Sequence, residues 1–251
     1  MKLVLLFLTG MLATSPVARG EGANLQITQI DSGVYLHTSY RIMEGYGPVG
    51  SNGLVVVDGK QAVIVDTPWS VKDTEKLLSW MNKQGFLAKA GISTHSHEDR
   101  TAGIEALNSK SIPTFTSKMT NDILASEGKP TATNVFGESE ISLLDGRLEI
   151  FYPGAGHTED NLVVWLPIQR ILFGGCLVRS LDWNSLGFTG DASIESWAES
   201  IRRIKSRYAD IATVVPGHGS VGNPEILDHT IRLAEMAAEE SVQSVSDAPV
   251  D

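Results

Sequence analysis

From Thr94 to Arg100 the chain reads Thr-His-Ser-His-Glu-Asp-Arg, and this stretch constrains the rest. His95 and His97 are two residues apart, so at the end of an extended strand both side chains point to one side. Asp99 follows two residues later, past Glu98, where the chain can begin to turn. Neutral imidazoles and a carboxylate suit a borderline divalent metal, zinc first. An isolated His-x-His is as readily a polar loop with two surface histidines. Three further motifs weigh against that here. Gly156-His157-Thr158, Gly174-Gly175-Cys176 and Pro216-Gly217-His218-Gly219 each put one donor beside glycine, at the end of a strand-like run. Glycine permits the tight turns and close backbone approach of a crowded metal site. Four of the six histidines and the only cysteine fall in this pattern.

The runs that carry these motifs suggest strands and helices in two similar halves. Residues 25–30 and 34–39 roughly alternate apolar and polar, as strands do, around a turn at Asp31-Ser32-Gly33. Residues 53–57 and 62–65 are short apolar runs, read as buried strands. Between residues 39 and 53, Tyr40 to Asn52 holds four glycine or proline breaks around Met43 and Tyr46. It reads either as a plain hairpin turn or as a mobile flap that covers an apolar ligand. Ser70 with Asp73 resembles a capping box for a helix over 71–84, with Leu77, Leu78 and Met81 inward. Residues 88–94 form the strand that delivers the central motif, and 101–108 and 117–127 read as helices. In the second half, 139–144, 148–152, 161–166 and 170–173 read as strands. Ile194, Trp197, Ile201 and Ile204 mark an amphipathic helix capped near Asp191. Residues 213–215 deliver His218, and Asn223-Pro224 opens the last helix. The expected fold is α/β: an αββα sandwich of two mixed sheets with helices on the outer faces and the donors at one edge. His37, inside a strand, and His229, inside the last helix, are read as structural.

The first residues form a charged start, an apolar run from Leu3 to Leu12 and a small-residue zone to Gly20. That is the pattern of a secretory leader over residues 1–20, cut between about 18 and 23, and the run is too short to span a bilayer. Residues 21–251 then form one domain, delivered to the periplasm. Loss of Lys2 and Arg19 moves the formal charge from -10 to -12. An acidic chain is a poor nucleic-acid binder. No stable membrane insertion is expected, and the domain is expected to be a monomer. A single cysteine in an exported protein forms no internal disulfide, and its place beside Gly174-Gly175 favours a metal.

The donors divide into two sets. His95, His97 and His157 make a three-histidine set with an open position, the composition of a catalytic and not a structural zinc site. Asp99, Cys176 and His218 make a softer set that also leaves room for water or substrate. Two adjacent zincs can share a hydroxide formed at neutral pH, which points to metal-assisted hydrolysis. Asp66, at a strand end, is either a turn former or a carboxylate that supports the ligands from behind.

Taken in order, His-x-His-x-Asp, Gly-His-Thr, Gly-Gly-Cys and Pro-Gly-His-Gly resemble the metallo-β-lactamase superfamily. Cys176, and Arg100 directly after Asp99, are similar to its subclass B1. The likeness includes Asp66-Thr67-Pro68 and Asp160-Asn161 and runs over nearly all of residues 21–251. The resemblance implies two Zn(2+) per chain and hydrolysis of the β-lactam amide bond of penicillins, cephalosporins and carbapenems, which confers antibiotic resistance. It places His95, His97 and His157 on the first zinc and Asp99, Cys176 and His218 on the second, with Asp99 and His157 at the reacting centre. It puts Met43 and Tyr46 in a substrate flap, Asn161 and Arg179 among substrate contacts, and Asp66 and Arg100 behind the ligands.

Three positions depart from the family pattern. Ser96 stands where an aromatic is common. Phe188 stands at the place of an asparagine linked to oxyanion binding, so that help must come from elsewhere. Arg179 replaces a lysine that binds the substrate carboxylate; its alternative is an outward arginine paired with Asp182. Rival hydrolases of the superfamily, on thioesters or phosphodiesters, resemble His-x-His-x-Asp-His with a bridging aspartate. Here Arg100 cannot ligate zinc, because guanidinium stays protonated, and Cys176 occupies the bridging position. A non-catalytic zinc-binding protein of the cell envelope is the other alternative. Ser126-x-x-Lys129 lacks the companions of a serine β-lactamase and is read as a chance match at a helix end.

Overall fold

The computed structural model describes residues 24–45, 47–137 and 141–246, with side chains through Ser241. The expected leader and its cut, and Tyr46 of the expected flap, lie outside the described residues. The described residues open with β1 (Gln26–Asp31), β2 (Val34–Met43), β3 (Gly47–Asp58) and β4 (Gln61–Val65), paired antiparallel in sequence order. Then come α1 (Val71–Lys83), β5 (Leu87–Ile92), α2 (Glu98–Thr101), α3 (Ile104–Ser109), β6 (Thr114–Ser117), α4 (Lys118–Ser126) and β7 (Asn134–Phe136). The strands β4 to β7 pair parallel and complete a seven-stranded sheet. The second sheet holds β8 (Ile141–Leu143), β9 (Leu148–Phe151), β10 (Val163–Leu166), β11 (Ile171–Gly175) and β12 (Thr213–Pro216). It is antiparallel except for β11 with β12. The helices α5 (Ile194–Arg207) and α6 (Glu225–Ser246) belong to this half.

Alternation along the strands sorts the side chains into three layers. From the first sheet Leu54, Val56, Val63, Val65 and Ile92 meet Ile150, Val164, Leu166, Ile171 and Phe173 of the second, between the sheets. The intervening Val55 and Ile64 face outward onto Leu77 and Met81 of α1 and Leu107 of α3. On the other side Val163, Trp165 and Leu172 pack against Trp197, Ile201 and Ile204 of α5 and Leu227 of α6. The result is an αββα sandwich of two mixed sheets. Trp197 is fully buried, and its truncation to alanine would cost about 3–5 kcal/mol.

Local chemistry starts the helices. Ser70, in extended conformation, accepts a hydrogen bond from the Asp73 backbone N–H to open α1, and Asn223 Oδ1 accepts from the Glu225 N–H to open α6. The helix α5 differs from expectation. Its N-cap position is Ser193, which makes no side-chain cap bond, and Asp191 is engaged elsewhere.

The stretch from Tyr40 to Asn52 forms a paired hairpin, one of the two readings its sequence allows. Gly47, Pro48 and Gly50 do not interrupt pairing, and Gly45 lies in the turn: β2 and β3 stay in register from Val34↔Val56 to Met43↔Gly47. Pro48 is tolerated because β4 pairs only with residues 54–58, so the other side of β3 is open there and needs no donor. Gly50 lies under the Tyr40 ring, 3.1 Å from where a Cβ would stand. The short strands β6 and β7 are further additions to the expected elements. Among the described residues no helix is long and apolar enough to cross a membrane.

Candidate metal centre

Each donor follows a strand end. His95 stands three residues past β5, and His97 is the residue before α2, whose second residue is Asp99. His157 lies in the loop between β9 and β10, Cys176 directly after β11, and His218 two residues after β12. Backbone hydrogen bonds lock these loops together: Leu162 N to Thr94 O at 2.8 Å, Gly217 N to Gly175 O at 2.7 Å, and Asn52 N to Gly217 O at 2.8 Å. Gly217 is required by space. A Cβ there would stand 2.7 Å from Arg100 Nη2 and from the Cys176 backbone nitrogen.

Donor atoms of His95, His97 and His157 all lie within 4.8 Å of one another, with His97 Nδ1 3.1 Å from His157 Nε2. The His97 Nε2 faces Asp191 Oδ2 at 3.0 Å, so its N–H donates outward and Nδ1 keeps a lone pair for the centre. Both ring nitrogens of the fully buried His95 lack a hydrogen-bond partner. Buried polar atoms normally have one, so an orphaned imidazole pointing at two others fits a metal ion. Burial and the charge of His157 hold His95 well below the usual histidine range, and burial with His97 lowers His157 to about 3. Both are therefore neutral, as ligands must be.

The softer set closes beside it. His218 Nε2 lies 3.1 Å from Asp99 Oδ2 and 3.3 Å from Cys176 Sγ, and Cys176 Sγ lies 3.4 Å from Asp99 Oδ2. His95 is within 4.8 Å of Asp99 and Cys176, so the two sets adjoin. His218 Nδ1 meets Gly50 O at 2.7 Å, which leaves Nε2 for the site and ties it to the β2–β3 hairpin. Against the downward pull of burial, Cys176 and Asp99 raise His218 to about 10. Burial alone would raise Asp99, but Arg100 and His218 hold it well below the usual carboxylate range. A metal cation held by this set would take the place of the His218 proton beside Asp99 and Cys176.

Arg100 is fully buried behind this set. It donates to Asp99 Oδ2 at 2.7 Å, Cys176 Sγ at 3.0 Å, Gly217 O at 3.0 Å, Asn52 O at 2.6 Å and Asp66 Oδ2 at 3.2 Å. Asp66 is both a turn residue, at φ 56, and a support: its two oxygens accept from the Thr94 backbone N–H and hydroxyl. Burial raises its pKa to about 6, with Arg100 and Thr94 opposing, so it is ionised at neutral pH.

The remaining candidates separate. Met43 is 38% exposed at the tip end of β2. Arg179 is half-buried, with its guanidinium 5.7 Å from the Trp183 ring centroid and Nε donating to Ser185 O at 3.1 Å. Asp182 does not take it; that carboxylate accepts from the Ser220 N–H and the Ser180 hydroxyl. Asn161 is a correction. It is 1% exposed, its Oδ1 accepts from Thr158 N at 2.9 Å and its Nδ2 donates to Gly154 O at 2.7 Å. Both ends of the amide are spent on shaping the loop that carries His157, so it is not placed to meet a substrate. His37 and His229 bond to the backbone oxygens of Asp66 and Trp183, away from the donors. Ser126 and Lys129 bond locally, to Ile123 O and to Glu127.

Sequence reasoning missed Asp191 and Trp69. Trp69 packs on the His218 ring with centroids 5.9 Å apart, and Arg41, which pairs with Glu98, lies 6.0 Å from the Trp69 ring centroid. No periodicity marks such contacts; only a carboxylate after a glycine-rich turn hinted at Asp191.

A profile of the Metallo-beta-lactamase superfamily matches residues 46–218. The chain is 42% identical over 223 residues to a metallo-beta-lactamase type 2 of Pseudomonas aeruginosa, with 89% of each chain covered. It is 35% identical to one of Bacteroides fragilis, over 86% of this chain and 88% of that one. Among solved structures, DIM-1 metallo-beta-lactamase superposes with a TM-score of 0.85 at 50% identity, covering 87% of this chain and all of that one. TMB-1 superposes at 0.84 with 53% identity, over 86% of this chain and 99% of that one.

Proposed function

The chain belongs to the metallo-beta-lactamase superfamily, and on that premise we propose that it is a zinc-dependent hydrolase of the β-lactam amide bond. The observation that carries this reading is the adjoining pair of donor sets, one of three neutral histidines and one of Asp99, Cys176 and His218, at one edge of the sandwich. We assign one zinc to each set. When bound, zinc supplies Lewis acidity and a water that ionises near neutral pH.

The chain's own residues do the rest. Asp191 fixes the tautomer of His97, and Gly50 O fixes that of His218. Arg100 holds Asp99 and Cys176 together. Asp99, ionised and bordering both sets, orients the attacking water; His157 lines the same reacting centre. Arg179 takes the substrate carboxylate, steadied by the Trp183 face, which an arginine favours. Met43 and the hairpin tip cover the bound ring system. The placing of a buried arginine after Asp99, and of a thiol opposite it, disfavours the thioester and phosphodiester rivals.

The reading extends to carbapenems as well as penicillins and cephalosporins. It also extends to an exported enzyme, freed of residues 1–20, acting as a monomer in the periplasm. Hydrolysis of a chromogenic cephalosporin, measured before and after exhaustive chelation and again with added zinc, tests the core of it. Activity that survives confirmed metal loss would overturn the zinc mechanism. Zinc binding without any hydrolysis would return the chain to a non-catalytic zinc protein.

A further inference from the structure

Phe188 has no part in the mechanism above. It is 63% exposed, yet its ring stands edge-on to His97 with centroids 5.9 Å apart. Its seat is Gly190, where a Cβ would lie 2.6 Å from the ring. The same turn holds Gly187, at φ +76, whose Cβ would stand 3.1 Å from Arg179 Nη2. One residue past Gly190, Asp191 grips His97. A single short turn therefore sets two things side by side: the guanidinium assigned to the substrate carboxylate, and an apolar ring over the outer side of the three-histidine set.

We propose that Phe188 is a specificity-determining residue that contacts the acylamino side chain of the substrate and favours an aromatic group there. The inference rests on the β-lactam reading and deepens it. With the carboxylate at Arg179 and the scissile carbonyl at the donor sets, the acylamino group next to that carbonyl lies toward His97. That is where the Phe188 ring stands. The ring offers no hydrogen bond, so its contribution is contact. Aromatic pairs in edge-to-face or offset geometry gain beyond the area they bury. The neighbouring glycines support a placed ring: Gly190 clears its seat, and Gly187 lets the turn approach Arg179.

The test compares two penicillins that differ only in the acyl group, phenylacetamido against acetamido. Phe188→Ala should lose about fivefold in kcat/KM on the phenylacetamido substrate and less than about twofold on the other, the size of one aromatic contact. Phe188→Tyr should keep the preference. Gly190→Ala keeps the phenyl but pushes it from its seat, and should reproduce the loss. Bound zinc should be unchanged in all three. As a readout apart from turnover, the hydrolysed phenylacetamido product, followed by tryptophan fluorescence, should bind Phe188→Ala more weakly than wild type. Equal losses on both substrates, or unchanged product binding, overturn the inference while leaving the β-lactam reading in place. Failure of the wild type to hydrolyse either substrate takes down both.

Discussion

Arg100 Nη2 lies 3.0 Å from Cys176 Sγ and 2.7 Å from Asp99 Oδ2, so one buried guanidinium holds two donors of the softer set at once. Its Nη1 meets Asp66, which in turn bonds Thr94, the residue before His95. Replacing Arg100 by methionine leaves Asp66 and Asp99 buried without their counter-charge. The expected cost is about 3–5 kcal/mol, as for breaking other buried pairs. Urea unfolding measures it, and zinc per chain should fall with it. Arg100→Lys keeps the charge but not the planar fork, and should recover only part of the loss. A methionine variant within about 1 kcal/mol of wild type would show that the pair network contributes little.

Cys176 has its Sγ within 3.4 Å of donor atoms from Asp99 and His218. Zinc holds a bound thiolate deprotonated, and a serine hydroxyl replaces it poorly. Cys176→Ser should weaken zinc at the softer set much more than at the three-histidine set, and turnover should fall with it. Metal analysis at graded free zinc, run beside the rate assay, separates the two sets. A variant that holds zinc as tightly and works as fast would remove Cys176 from the ligands.

Arg179 faces Trp183, and among the described residues no acid pairs with it, so its charge is available to a substrate. Arg179→Ala should raise KM with little change in kcat, because carboxylate binding is felt in ground and transition states alike. The loss should be about 1.5–3 kcal/mol, the range for hydrogen bonds to charged groups. Added salt should narrow the gap. Steady-state kinetics on a penicillin and on its carboxylate ester decides the matter. An equal loss on the ester would show that the guanidinium acts elsewhere.

His37 is buried with one ring nitrogen on Asp66 O and the other without a partner. Burial lowers its pKa to about 3, and the bond to Asp66 opposes this only in part. The folded protein thus binds this proton less readily than the unfolded chain. The stabilisation is full above about pH 6.5 and is lost as pH falls from there toward 3. At pH 5 this one group should have cost about 2 kcal/mol relative to pH 7.5. Urea unfolding of metal-free wild type and His37→Asn at both pH values isolates it from the other histidines. The same change with pH in both proteins would count against a neutral buried His37.

The donors were legible from sequence because each stands beside a strand end, and in three of the four motifs beside glycine as well, a local pattern in chain order. The layers were legible in part: the unbroken apolar runs at 53–57 and 62–65 mark strands covered on both faces, and the fold decides which side chains meet the other sheet and which meet α1. What those side chains do to one another is set across gaps of tens of residues, where no period runs. Asp191 reads as a helix cap by position, yet the fold brings it to His97, 94 residues away, and leaves Ser193 at the helix start. Asn161 reads as a site residue by motif, yet its amide is consumed by Thr158 and Gly154 in its own loop. The breaks from Gly45 to Gly50 allow a hairpin or a mobile loop, and the fold makes the hairpin: strand pairing runs through Gly47, Pro48 and Gly50, because a proline on an open side loses no bond there. Donor identity and strand alternation are properties of neighbours along the chain. Which nitrogen a histidine turns inward, and which charge answers a buried arginine, depend on contacts that exist only once the two sheets have packed.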